Sequence, residues 1–259
     1  MPQHDSRVAL VTGTSSGIGE AVARELLRRG WRVTGVARRR GAIEHSRYAH
    51  ISVDLADLRS LVGIMDREAG SLIADPQLTR LALVNNAADP GLLGPIEQLD
   101  PHAFLEVCSV NVAAPIWLMG WLLRRSGTDV SLRFVNVSSG AAVQPFPGLG
   151  AYCSTKAALR MAGLVLAAEL DAGGGSGSSG RDATILSYEP GTVDTPMQAR
   201  ARATPIETLP TLALFTRVAA EGRLIPPAAP AGEIAEYLDG DGHARFEERR
   251  FAGSPRLSG

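Results

Sequence analysis

Short, mostly apolar runs recur along this chain with helical patterns between them, and few folds accommodate that alternation. RVALVTG (7 to 13), WRVTGVARRR (31 to 40), AHISVD (49 to 54), LALVNNA (81 to 87), SLRFVNVSS (131 to 139) and DATILSYEPG (182 to 191) read as strands. Helical spacing appears at 20 to 30, where Val22 pairs with Leu26 and Ala23 with Leu27, and again at 56 to 69, 101 to 124 and 151 to 171. GEIAEYL (232 to 238) and HARFEE (243 to 248) read as a last helix and strand. A strand that is apolar throughout has both faces covered, and helices between such strands imply a parallel sheet. The expected fold is therefore α/β: one doubly wound, three-layer αβα domain over 1 to 259 with a mostly parallel seven-stranded sheet.

Two stretches interrupt the pattern. AGGGSGSSG at 172 to 180 has linker composition but lies between a helix and a strand of one repeat, so it reads as a surface loop and not as a domain boundary. Residues 196 to 230 hold several prolines and a helical LPTLALFTRVAAEG without strand pattern, as expected of a lid over the carboxyl edge of the sheet.

The bulk properties exclude several function classes. A net charge of -1 gives no electrostatic footprint for nucleic acid or an anionic membrane, and no window approaches 18 uninterrupted apolar residues. The polar start MPQHDSR lacks a signal-peptide core, which predicts a cytoplasmic protein. Cys108 and Cys153 sit in no metal-ligand spacing and are expected to be small buried thiols; no metal site is predicted.

Residues kept against the compositional bias mark the chemistry. Of 26 Lys and Arg residues only Lys156 is lysine, and the four asparagines are Asn85, Asn86, Asn111 and Asn136. TGTSSGIG puts Gly13, Gly17 and Gly19 between the first strand and first helix, where free backbone amides and the positive helix end suit a pyrophosphate. At the end of the second strand an acid would serve an unphosphorylated ribose, but the chain offers Ala37 followed by Arg38 and Arg39. An arginine there accommodates a 2′-phosphate, favouring NADP(H) over NAD(H). Tyr152 and Lys156 lie four apart at the start of a helix and share a face. An ammonium beside a phenol stabilises phenolate; lowering the pKa by ~3 units takes ~4 kcal/mol, with help expected from a bound cofactor's positive nicotinamide. Such a phenol can protonate the oxygen formed when hydride reaches a carbonyl, and Ser139, at a strand end, can hold that oxygen.

These residues resemble the classical short-chain dehydrogenases/reductases over nearly the whole chain. The matching motifs are TGTSSGIG, VDL (53 to 55), NNAA (85 to 88), Asn111 in VNV, NVSS (136 to 139), YCSTK (152 to 156) and PGTVDT (190 to 195). The resemblance implies Tyr152 as acid/base, Lys156 as pKa modulator and ribose ligand, Ser139 as substrate-oxygen donor and Asn111 as anchor of a proton-relay water. It further implies a cofactor site built from Gly13, Ser15, Ser16, Gly17, Ile18 and Gly19, from Arg38 and Arg39, and from Asp54 and Leu55. Asn86, Ala87, Tyr152, Lys156, Pro190, Gly191, Val193 and Thr195 complete it. Ala88 departs from the family's usual glycine.

AVQPFPGLGAYCSTKAALRM and SYEPGTVDTPMQ look most like the sepiapterin and benzil reductase branch. That resemblance implies NADPH-dependent reduction of a small-molecule ketone or 1,2-dicarbonyl. The branch's pterin-anchoring Asp falls near Arg245, which cannot accept N–H donors as a carboxylate does, so a general carbonyl or diketone reductase is expected. The helix from Ala151 is apolar nearly all round, which together with the resemblance implies a homodimer or homotetramer. The alternatives are an NAD-dependent alcohol dehydrogenase of the same family and a dinucleotide-sensing regulator without chemistry.

Overall fold

A computed structural model describes residues 6–73, 75–173, 180–206 and 208–254. Among them seven strands, β1 (Ser6–Thr12), β2 (Arg32–Ala37), β3 (Tyr48–Ser52), β4 (Leu78–Asn85), β5 (Ser131–Val137), β6 (Ala183–Glu189) and β7 (Phe246–Arg250), form one sheet in the order β3-β2-β1-β4-β5-β6-β7. Every pairing is parallel, as the unbroken apolar strands imply, and the chain order reverses between β1 and β4. Helices α1 (Gly17–Arg28), α2 (Leu58–Glu68), α3 (Gly70–Ile73), α4 (Pro101–Cys108), α5 (Ala114–Arg125), α6 (Gly150–Asp171), α7 (Pro196–Arg202), α8 (Leu212–Ala220) and α9 (Ala228–Asp239) connect them.

The period-2 alternation of strand side chains divides the core into two layers. Val8, Leu10, Leu81, Leu83, Leu132 and Phe134 face Leu61, Met65, Leu118, Trp121, Leu122 and Leu170. Their neighbours Ala9, Val11, Ala82, Val84, Val135 and Val137 face Val22, Leu26, Trp31, Ile234 and Leu238 of the opposite layer. Continuous apolar strands are thus used on both faces, as the sequence pattern requires.

Two local outcomes differ from expectation, and a third expectation falls mostly outside the described residues. The last strand starts at Phe246, not at His243: the carbonyl of Arg245 accepts the first ladder bond, from Ile185 N (3.0 Å), while its side chain hydrogen-bonds back to the amino edge. The glycine-rich stretch at 172 to 180 falls mostly on 174 to 179, outside the described residues. Cys108 and Cys153 are free but only half-buried. The continuous helical stretch Pro101–Arg125 is long and apolar enough to cross a membrane, with a mean hydropathy of 1.5, yet its Leu118, Trp121 and Leu122 are buried on the sheet.

Candidate active site

In a doubly wound parallel sheet the crevice outside the carboxyl ends of the strands, where the strand order reverses, is the expected binding place. A cleft of about 660 Å³ opens there, and its wall contains every predicted site residue except Gly19 and Asn111.

The phosphate end is built by backbone. β1 ends at Thr12, and Gly13 (φ 74) and Gly17 (φ 62) take left-handed conformations that turn the chain into α1. A Cβ on Gly13 would meet Asn86 Nδ2 at 2.9 Å, and one on Gly19 would overlap that amide and the Gly13 carbonyl. Ser16 takes the N-cap position without a side-chain cap bond, leaving the first-turn amides of α1 to the cleft. This cradle fits a pyrophosphate. Gly19 shapes it by packing and does not line it. Asn86 serves the same end: its Nδ2 donates to Thr12 O (2.9 Å), while Thr12 Oγ1 accepts from the backbone of Asn86 (3.0 Å) and Ala87 (2.9 Å).

At the adenosine end Arg38 and Arg39 are exposed on the wall, and Arg38 approaches Asp54 at 3.8 Å. Asp54 Oδ1 accepts from Ala56 N (3.0 Å), which fixes the turn entering Leu55. Pro190, Gly191, Val193 and Thr195 line the opposite end; Gly191 (φ 76) again needs a glycine, and Thr195 caps α7 through Gln198 N at 3.3 Å.

Ser139, Tyr152 and Lys156 meet between these ends. Ser139 follows β5 and caps a short turn, its Oγ accepting from Ala141 N (3.2 Å). Lys156 is 2% exposed, donates to Val137 O at 2.7 Å and lies 5.6 Å from the centroid of the Tyr152 ring. The pocket's own effect on the phenol is opposite to the expectation. Burial pushes Tyr152 up to about 12, with a hydrogen bond from Ser139 pulling the other way. Burial also holds Lys156 down at about 8. The reason is geometric: the ammonium spends its hydrogen bond on a carbonyl, so desolvation outweighs attraction to a phenolate.

Asn111 lies outside the cleft wall but at the centre of its support. It sits within a π-turn, Ser109–Ala113, that interrupts the helix between α4 and α5. A π-turn shifts the hydrogen-bond ladder and leaves a main-chain carbonyl free, a feature common at functional sites. The Asn111 amide is 1% exposed, accepts from Asp89 N (2.8 Å), and donates to Asp89 O (2.7 Å) and Thr155 Oγ1 (3.1 Å).

A family model described as short chain dehydrogenase matches residues 7–206. The chain belongs to that family. Among its relatives, a benzil reductase ((S)-benzoin forming) of Bacillus cereus is 32% identical over 241 residues, covering 90% of this chain and 94% of that protein. A sepiapterin reductase of Meriones unguiculatus is 30% identical over 253 residues, covering 90% and 92%. The crystal structure of the KRED1-Pglu enzyme superposes with a TM-score of 0.78 at 25% identity, covering 93% of this chain and all of that one. This short chain dehydrogenase is thus an oxidoreductase related to benzil and sepiapterin reductases.

Two further observations complete the short chain dehydrogenase site. Arg245 does not approach the cleft: it hydrogen-bonds Asp171 (2.9 Å) and Arg181 O (3.0 Å) at the amino edge of the sheet, so the expected overlap with a pterin-anchoring position is corrected. Ala88 has no positive φ, so its methyl is accommodated without backbone strain. The sequence reading missed the substrate half of the wall, where Leu93, Val110, Phe146, Leu149, Met197 and Phe215 gather with Glu106, Asp89, Glu189 and Arg200. These residues come from six separate segments with no shared spacing; the lid assignment at 196 to 230 and the likeness carried by AVQPFPGLG and DTPMQ pointed toward part of them.

Proposed function

We propose that this short chain dehydrogenase is an NADPH-dependent carbonyl reductase for ketones or vicinal dicarbonyls, with Tyr152 as proton donor. The observation that carries the reading is the meeting of Ser139, Tyr152 and Lys156 in the same cleft as the glycine cradle. The dinucleotide, when bound, supplies the hydride. Ser139 donates to the carbonyl oxygen and holds it against the phenol. Tyr152, neutral at physiological pH as an ordinary phenol is and held so by burial, then has a proton to give as that oxygen becomes an alkoxide. Lys156 has two ammonium protons beyond the one held by Val137 O, available to a ribose and to the developing phenolate. The apolar wall of Leu93, Val110, Phe146, Leu149 and Phe215 suits a bulky, weakly polar substrate, which supports a dicarbonyl of the kind named by the benzil reductase relative.

Tyr152→Phe keeps the ring and removes the proton. NADPH consumption with a panel of diketones, pterins and simple ketones should fall by ~10²–10⁴-fold, with NADPH binding, followed by fluorescence, unchanged. Retained turnover would refute the mechanism.

Arg38 and Arg39, with Ala37 where an acid would sit, support NADPH over NADH. A charge-assisted contact to a 2′-phosphate contributes about 1.5–3 kcal/mol, so Arg38→Ala should weaken NADPH ~10-fold or more while leaving NADH unchanged. Equal or tighter NADH binding by the unaltered protein would reverse the assignment toward an NAD-dependent alcohol dehydrogenase.

The exposed apolar stripe Ala157, Met161 and Val165 on α6 supports a further copy of the chain as partner, and the whole reading fits a soluble, cytoplasmic protein. Sedimentation of Met161→Glu against the unaltered chain tests the pairing, a monomer being the expected product.

A further inference from the structure

The loop after β4 is gripped from both sides. Asn111 holds the backbone of Asp89 by both its N–H and its C=O (2.8 and 2.7 Å). From the other side Arg200, on α7, donates to Asp89 Oδ1 (3.3 Å) and to Gly91 O (3.2 Å). The same Asp89 Oδ1 accepts from Gly91 N at 2.9 Å, closing a turn in which Gly91 has φ 72. The network continues inward, since Asn111 Nδ2 reaches Thr155 Oγ1 (3.1 Å), which donates to Tyr152 O (2.9 Å). Asp89 is therefore the one residue whose side chain faces α7 while its backbone is held by Asn111.

We propose that Asp89 and Arg200 are positioning residues that latch α7 over the cleft and, through the backbone of Asp89, set the place of Asn111 in its π-turn. The inference rests on the carbonyl-reductase reading for its kinetic consequence, though not for the latch itself. α7 begins directly after Thr195 and contributes Met197, Gln198, Arg200 and Ala201 to the cleft wall, so its seating closes the substrate half. The ion pair is exposed, with side chains 58% and 46% accessible. Such a pair contributes little free energy, which suits a latch that must open in every turnover. Its strength is also set by ionic strength, because exposed charges are screened over about 3 Å at 1 M salt.

Asp89→Asn retains an acceptor for the Gly91 turn and removes the charge; Arg200→Gln removes the other partner. At low salt each variant should lower kcat/KM for the carbonyl substrate by about threefold, with the double variant no worse than either single one. Raising salt should bring the unaltered protein toward the variants and leave the variants unmoved. Independently of turnover, amide hydrogen exchange should accelerate in both variants at 196–202, at 89–91 and at the π-turn 109–113, with the thermal midpoint unchanged. Multiplying losses in the double variant, or unaltered exchange at 109–113, would overturn the proposal. If the unaltered protein reduced no carbonyl, the function reading would fail while the exchange experiment still decided the latch.

Discussion

The two edges of the sheet treat buried positive charge in opposite ways. At the amino edge the charges are guanidinium groups, each met by several acceptors. Arg133, 1% exposed, bonds Asp182 (2.9 Å), Asp241 (3.1 Å) and Leu132 O (3.0 Å). Arg181, 6% exposed, bonds Leu123 O (2.7 Å), Ser126 O (2.9 Å) and Gly127 O (2.6 Å). Arg7 reaches Asp239 at 2.7 Å, and Arg80 reaches the carbonyls of Leu238 and Asp239. At the carboxyl edge Lys156 is buried as deeply but makes a single hydrogen bond among the described residues, to Val137 O. A guanidinium stays charged and presents five donors in a fixed fork, so it suits a permanent seam; an ammonium shifts its pKa when desolvated and keeps donors free. One edge is arranged for stability, the other holds an under-satisfied charge ready for a ligand.

The sharpest test of that contrast is Lys156→Met, for which activity and stability should move in opposite directions. Turnover should drop by ~10²–10⁴-fold because the phenolate and ribose lose their partner. The cofactor-free protein, however, should become more stable. The folded pKa of Lys156, about 8, lies below its ordinary 10.5, so the folded state loses a proton that the unfolded chain keeps between those values. At neutral pH, with the lysine charged in both states, the burden is complete and is of order 3 kcal/mol, less the lost bond to Val137 O. Stability of the unaltered protein should therefore rise as pH climbs from about 8 toward 10.5, and the variant should lack that rise in its thermal midpoint. A variant less stable than its parent at pH 7 would mean that the lysine is a structural residue like the arginines.

The contrast also shows which parts of the molecule were legible in the sequence. Strands were recognisable because period-2 packing against two helical layers demands unbroken apolar runs, and the glycine turn because Gly13 and Gly17 need positive φ. Tyr152 and Lys156 were recognisable because four residues make one helical turn. The π-turn at Asn111 left no such trace: SVNVA reads as ordinary helix, and the insertion is stabilised by tertiary hydrogen bonds that Asn111 accepts from Asp89 N and donates to Thr155 Oγ1. Arg200 and Phe215 were hidden likewise, since the fold around the lid, and not local spacing, brings them to the cleft. The rise in the Tyr152 pKa was missed because spacing gives proximity to Lys156 but not the direction in which Nζ points.

A smaller and opposite effect is expected at the amino edge. Asp182→Ala removes the closest carboxylate from buried Arg133 and leaves Asp241 at 3.1 Å. Hydrogen bonds to charged groups contribute about 1.5–3 kcal/mol, so denaturant unfolding should show a loss of roughly 2 kcal/mol. kcat and KM should not change, since the residue precedes β6 at the end away from the cleft. A kinetic defect without a stability defect would erase the division between the edges.

The smallest effect is expected from Arg245→Ala, which separates position in sequence from position in space. In sequence Arg245 falls near the place of a substrate-anchoring carboxylate; in space it joins Asp171 at 2.9 Å and the carbonyl of Arg181 at 3.0 Å, below the start of β7. Its side chain is 26% exposed and that of Asp171 is 63% exposed, so the pair belongs to the class that contributes about 1 kcal/mol or less. With the bonds to the Arg181 and Ala183 carbonyls also lost, urea unfolding should shift by about 1–2 kcal/mol, while KM for diketones and for pterins should both stay as they were. A selective change in pterin KM would return Arg245 to the substrate site and bring the two edges of the sheet into functional contact.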